Sequence, residues 1–367
     1  MVKKVVFVFG TRPEFIKIAP VVRELRKTEW AQPIVIATGQ HRHLTAGIAE
    51  TFDVFPDFIL DTGEPAQTLS DILSNALPPV DALLKATRPT GIVVQGDAHS
   101  AFVGALAAYY NKLPLAHIEA GLRTNDKFAP YPEEMNRRLI SILTDIHFAP
   151  TNDAAANLRG LGGRIAVTGN TEIDAYAHIA EHLSEMRTAR PYPTDKRLIV
   201  ATVHRRESFG EAMEEVFDAL ALIAKRKDVN VVIPLHLNPH VQEAAEAIGL
   251  KDSRVHILPP LPYSEFVRMM TDAYFVITDS GGVQEVAAAM NIPALVVREK
   301  TERMEGIKAG CARLVGTDAR TIITAATELL DDDAAWRMMS RSPCPYGDGN
   351  ARKCIVKILE EEWGHET

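Results

Sequence analysis

Short apolar runs recur along the chain, each closing on a glycine, a proline or a polar turn, and most are followed by helical spacing. Val5-Val-Phe-Val-Phe9 ends at Gly10, and Pro13 then opens a helix that sets Phe15, Ile18, Val22 and Leu25 on one face. Pro33–Ala37, Gly91–Gln95, Leu113–Ile118, Asp145–Ala149 and Ile165–Val167 repeat the strand pattern. The alternation restarts at Leu198–Val203 and continues through Asn230–Leu235, Val255–Leu258, Phe275–Thr278 and Pro293–Val297. Apolar runs without internal alternation, separated by helices, predict parallel strands buried on both faces. The fold class is therefore α/β, with two doubly wound Rossmann-like domains facing each other across a cleft. The expected domains are 1–171 and 172–349, with a last helix over 350–367 packing back on the first. Arg187–Lys196, with Pro191 and Pro193, is the expected linker.

Length and composition narrow the class. A chain of 367 residues, 46% hydrophobic and 24% charged, suits two ordinary globular domains. A formal net charge of −8 argues against a nucleic-acid or membrane-surface binder. The apolar runs are strand-sized, so no membrane span is expected, and Met1-Val-Lys-Lys leads into a strand without a leader pattern. Cys311, Cys344 and Cys354 are odd in number and lack metal-ligand spacing, which fits a reducing cytoplasm.

Candidate chemistry gathers at the strand exits, where open α/β sheets bind ligands. His117-Ile-Glu-Ala-Gly-Leu-Arg-Thr124 places Glu119 at a strand end, and Pro132 restarts the chain as a helix with Glu133 in its first turn. Glu133 either complements the helix dipole or does acid–base work. Asp97 follows Gly96 directly after a buried strand, which puts a carboxylate on the ligand edge. Arg12 and Lys17 flank a strand–turn–helix that can hold an anion. Asp279-Ser-Gly-Gly282 is a second such turn, with Ser280, Gly281 and Gly282 leading into a helix. His204 stands at a strand exit beside Arg205 and Arg206, and His236 is placed similarly. Phe266 reads more readily as core than as a platform for a base, and Thr38–His43 equally as a functional loop or a connector. Neither a dinucleotide glycine motif nor a P-loop occurs, and no Cys/His spacing suggests zinc.

These motifs, in order and over nearly the whole chain, resemble the non-hydrolysing UDP-N-acetylglucosamine 2-epimerases. The match runs through Gly10-Thr-Arg-Pro-Glu14, Gly39-Gln-His-Arg42, Gly96-Asp97, His117–Thr124, Pro132-Glu-Glu-Met-Asn-Arg137, Thr168-Gly-Asn-Thr171, His204-Arg-Arg-Glu-Ser208, His236-Leu-Asn-Pro239, Thr278–Glu285, Thr301-Glu-Arg303 and Pro345-Tyr-Gly-Asp-Gly349. The resemblance implies a GT-B fold, a cytoplasmic homodimer, a UDP-sugar substrate, and no metal or redox cofactor. It implies epimerisation at C2 by elimination and re-addition of UDP. Carried over by motif, Asp97, Glu119 and Glu133 are the acids and bases, with His204 beside the diphosphate. Arg12, Lys17, Ser280, Gly281 and Gly282 hold the phosphates, His236 and Glu285 join the substrate site, and Phe266 lies near the uracil. Gln40, His41 and Gln67 fall at a second, allosteric UDP-GlcNAc site.

The chain departs from the family pattern in three places. Val286 replaces the glutamate expected to hydrogen-bond the ribose diol, and valine cannot accept those bonds. Ala98 and His99 replace the usual threonine after Gly96-Asp97. His43 and Ala66 stand where many members carry polar or basic allosteric contacts. The first departure supports an alternative substrate: a non-nucleotide sugar phosphate, as in fructose 6-phosphate to allulose 6-phosphate, or another nucleotide sugar.

Overall fold

The computed structural model describes residues 2–39, 42–60, 68–185, 190–204, 210–235 and 255–365. Its first run of elements is β1 (Lys3–Phe9), α1 (Arg12–Leu25), β2 (Ala31–Ala37), α2 (Arg42–Phe52), β3 (Phe58–Ile59), α3 (Leu69–Thr87), β4 (Gly91–Gln95), α4 (His99–Tyr110), β5 (Leu115–Ile118), α5 (Glu133–Leu143), β6 (Ile146–Ala149), α6 (Asn152–Ala156), β7 (Arg164–Val167) and α7 (Thr171–His182). The strands form one parallel sheet in the order β3-β2-β1-β4-β5-β6-β7. The order reverses between β1 and β4, so a crevice opens at their carboxyl ends. Val5–Phe9 is wholly buried, as a strand covered on both faces must be.

Pro33 sits inside β2 without breaking the ladder. Val35 exchanges hydrogen bonds with Asp57, so the odd residues of β2 face β3. The short β3 begins opposite Ile36, beyond the reach of Pro33, whose missing N–H therefore costs no pairing.

The second run comprises β8 (Arg197–Thr202), α8 (Glu211–Ile223), β9 (Val229–Pro234), β10 (Val255–Leu258), α9 (Tyr263–Thr271), β11 (Ala273–Thr278), α10 (Gly281–Ala289), β12 (Ala294–Val296), α11 (Met304–Ala309), β13 (Ala312–Leu314), α12 (Ala319–Asp331) and α13 (Asp333–Ser340). This sheet has the order β10-β9-β8-β11-β12-β13, reversing between β8 and β11. Phe217, Phe275, Ile277 and Leu329 are at its core. The last helix, α14 (Ala351–Trp363), belongs with the first sheet. Asp174 is buried and accepts hydrogen bonds from Ala351 N and from Arg352 N and Nη1, which fixes the start of α14. The Trp363 ring fills the space that a Cβ on Gly91 would occupy.

The chain divides into two compact units, Met1–His178 with Gly347–Thr367, and Ile179–Tyr346. The change falls within α7 and not in the proline-containing segment expected as a linker. That segment is packed where it is described. Tyr192 is buried, its hydroxyl donates to Asp272, and Arg190 pairs with the same carboxylate. An aromatic residue between two prolines has surface to bury, which composition alone did not weigh.

One helix start differs from expectation, and another lacks a side-chain cap. Pro132 caps α5 at φ −92° and ψ 5°, and Glu133 is the first helical residue. Ala98 caps α4 and makes no side-chain capping bond. Restoring a hydroxyl there with Ala98→Ser will stabilise the protein by about 1 kcal/mol, measured by urea unfolding.

Candidate functional site

In the first unit the site grows from the exits of β1, β4 and β5. After β1, Thr11 caps α1 and Glu14 closes a capping box on it. Glu14 is fully buried. It accepts hydrogen bonds from Gly10 N (3.0 Å), Thr11 N (2.7 Å), Thr11 Oγ1 (2.8 Å) and Ser100 Oγ (2.7 Å). Burial pushes its carboxyl up from the usual range while these donors pull it down. The turn is thereby tied to α4, and Arg12 occupies the first helical position, partly buried. Lys17 lies buried on α1, and its ammonium pairs with Glu119.

Glu119 follows β5 in the left-handed region, at φ +63°. Gly121 finishes the turn at φ +93°, where an added Cβ would lie 2.1 Å from the Ala154 carbonyl oxygen. The Glu119 carboxylate also accepts from Gln95 Nε2 at 2.5 Å. After β4, Gly96 turns at φ +70° and presents Asp97. Arg137 pairs with the Asp97 carboxylate, and Asn136 donates to the Asp97 carbonyl at 2.9 Å. The Asn136 amide also lies 3.2 Å from His99 Nδ1, and burial lowers the pKa of that imidazole. Glu133 opens α5 and is half-buried. The neighbouring Glu134 is fully buried and accepts from Thr124 N (3.0 Å), Asn125 N (3.3 Å) and Arg138 Nε (2.9 Å). One helix start thus closes the loop behind Glu119 and delivers Arg137 to Asp97.

His117, on β5, is wholly buried with Nε2 2.7 Å from the Gly96 carbonyl oxygen. Desolvation drives its pKa down to about 3 from 6.5. A depressed folded-state value means that His117 binds a proton on unfolding, not in the native protein. Its stabilising effect is complete above pH 6.5 and is lost as pH falls towards 3. Between pH 7.5 and 5.0 it accounts for a loss of about 2 kcal/mol, which His117→Gln will remove from the pH dependence of urea unfolding.

In the second unit, β8 and β11 supply the exits. Asp279 is fully buried and accepts His204 N at 2.7 Å, with His204 Nδ1 3.1 Å away. The buried carboxylate therefore faces both the backbone and the ring of His204. Ser280 caps α10 without a side-chain bond, and Gly281 and Gly282 form its first turn. A Cβ on Gly281 would lie 2.4 Å from Arg303 Cζ, so the guanidinium is packed against the glycine turn. Arg303 donates to Glu285 (2.8 Å) and to Glu302 (2.5 Å), and Arg298 donates to Glu302 (2.8 Å), all four side chains being buried. Glu285, expected on the substrate, is engaged by Arg303. Val286 is 2% exposed on the buried side of α10. Phe266 is half-buried on α9.

His236, Gln40, His41 and Gln67 lie outside the described residues, as do Arg205–Ser208, Ala66 and the side chain of His43. Sequence reasoning missed Glu14, Gln95, Glu134, Asn136 and Arg137. Glu134 and Arg137 carried a signal. Positions 134, 137 and 138 share one helical face, and charges there on a buried helix need partners.

The sequence pattern of the UDP-N-acetylglucosamine 2-epimerase family matches residues 23–360. The UDP-N-acetylglucosamine 2-epimerase of Bacillus subtilis (strain 168) is 42% identical over 371 residues, covering 99% of this chain and 96% of its own. That of Escherichia coli (strain K12) is 40% identical over 369 residues, covering 97% and 98%. The structure of UDP-GlcNAc 2-epimerase from Neisseria meningitidis bound to UDP-GlcNAc is 38% identical, with a TM-score of 0.94. It covers 98% of this chain and 100% of the other.

Proposed function

The chain belongs to the UDP-N-acetylglucosamine 2-epimerase family, and from that premise we infer that it interconverts UDP-GlcNAc and UDP-ManNAc at C2 of the sugar. The alternative substrate suggested by Val286, a ketohexose phosphate, finds no support in the comparisons. The C2 proton is not acidic enough for simple abstraction and return, so the reaction runs by elimination. A base takes the C2 proton, its electron pair forms the C1–C2 double bond, and the C1–O bond breaks with its pair leaving on UDP. Re-addition of UDP to 2-acetamidoglucal with protonation on the opposite face of C2 gives the epimer. Such a path needs acid–base groups on both faces and positive charge on the departing diphosphate.

Asp97, Glu119 and Glu133 are the groups for the first need. The observation that carries this reading is the delivery of Asp97 and Glu119 to the exits of adjacent strands, each carboxylate paired with a basic side chain. Arg12, Lys17, His204 and the Ser280–Gly282 turn serve the second. Lys17 is paired with Glu119, so its charge bears on that carboxylate as well as on the phosphate turn. Phe266, half-buried on α9, meets the uracil in this reading.

The active form is a homodimer. Exposed Tyr109 and Tyr110 on α4 and Leu139 and Ile142 on α5 support an apolar contact between copies. The three unpaired thiols suit the cytoplasm. Among the described residues, no helix is long and apolar enough to cross a membrane.

Incubation with UDP-GlcNAc or with UDP-ManNAc will reach the same mixture of the two, followed by NMR. Accumulation of free ManNAc and UDP would instead mark a hydrolysing enzyme, and no conversion would refute the assignment.

A further inference from the structure

We propose that Gln95 and His117 are positioning residues for the C2 acid–base pair, each holding the carboxylate delivered by the neighbouring strand. The inference rests on the reading of Asp97 and Glu119 as catalytic groups. β4 and β5 are parallel neighbours, with Val94 opposite His117 and Gln95 opposite Ile118. Gly96 N donates to the Ile118 carbonyl at 2.9 Å and completes the backbone ladder. Beyond that ladder the side chains cross. Gln95 closes β4 and donates to the carboxylate of Glu119 on the β5 side. His117, on β5, donates to the carbonyl of Gly96 on the β4 side. Each strand thus holds the other strand's reactive group.

Both turns need such a tie. Glu119 sits at φ +63° and Gly96 at φ +70°, so the chain leaves both strands in conformations that extended backbone does not supply. Glu119 has a second donor in Lys17, but Lys17 lies on the helix that offers its start to an anion, and a diphosphate competes for that cation. The Gln95 amide is uncharged and 3% exposed, and it keeps its hold on Glu119 when the diphosphate arrives. For Asp97 the peptide is gripped on both sides. His117 holds the carbonyl before it and Asn136 holds its own carbonyl. His117 is wholly buried and uncharged, so it acts through the Nε2–H bond alone. A displacement of a reacting group by ~1 Å costs on the order of 10²-fold in rate.

The test compares Gln95→Met and His117→Leu, which remove the donors, with His117→Gln, whose amide can still reach a carbonyl. Steady-state kcat and KM for UDP-GlcNAc are read beside UDP affinity by calorimetry and thermal unfolding. Asp97→Asn and Glu119→Gln are measured in parallel. We expect Gln95→Met and His117→Leu to lower kcat by about 10- to 100-fold, with KM and UDP affinity within about twofold. His117→Gln should recover at least about tenfold of the loss seen with His117→Leu. Wild-type kcat in folded Gln95→Met and His117→Leu would overturn the proposal, as would losses confined to KM. If His117→Leu does not fold, failure of folded His117→Gln to exceed the kcat of Asp97→Asn overturns the His117 half, and Gln95→Met still decides the other. If Asp97→Asn and Glu119→Gln themselves keep wild-type kcat, the catalytic reading fails and this proposal falls with it. Loss in that pair with normal kcat in the tie variants sinks the tie alone.

Discussion

Glu119→Gln will lower kcat for UDP-GlcNAc epimerisation by about 10³-fold while leaving UDP affinity within a few-fold of wild type. The change keeps size and shape but removes the base. It also replaces an ion pair with Lys17 by a neutral contact, and it sets the Gln95 amide against another amide. General acid–base catalysis is worth about 10²–10⁴-fold, so an effect near the middle of that range is the natural expectation. The loss should lie in kcat, because the carboxylate meets the C2 proton only as the bond breaks. Steady-state kinetics and calorimetry with UDP separate the two terms. A loss below about tenfold would remove Glu119 from the proton-transfer role.

Arg303→Met will destabilise the protein by about 3–5 kcal/mol, the cost of leaving a buried ion pair with one partner. Arg303 stands between Glu285 and Glu302, and Arg298 donates to Glu302 as well. Without Arg303, buried Glu285 and Glu302 each lose a guanidinium partner. The glycine turn at Gly281 also loses the group packed against it. Urea unfolding measures the effect, and adding Glu285→Gln to Arg303→Met should recover part of it by removing the stranded charge. A loss under about 1 kcal/mol would show that solvent reaches the network and screens it.

The layered fold was legible because a parallel strand buried on both faces reads as an unbroken apolar run, and each such run ended in a turn residue. The ligand edge followed, since strand order reverses at β1/β4 and β8/β11 and the polar motifs lie at those exits. Pairings were less legible. Lys17 and Glu119 are far apart in sequence, and only the folded sheet brings them together. Glu134 looked like a neighbour of the more interesting Glu133, yet it is the buried one and holds the loop. Glu285 read as a ligand contact because the family motif carries it to the substrate site, whereas Arg303, 18 residues on, engages it. Gln95 and His117 read as strand residues, and their role is visible only when hydrogen bonds between adjacent strand exits are traced.

The central claim is proton exchange at C2 through elimination of UDP. Protein in deuterated water with UDP-GlcNAc will give UDP-ManNAc carrying deuterium at C2, followed by NMR, and recovered UDP-GlcNAc will acquire the same label as the reaction nears equilibrium. UDP-ManNAc formed with the original proton retained at C2, or no exchange into either sugar, would contradict the account.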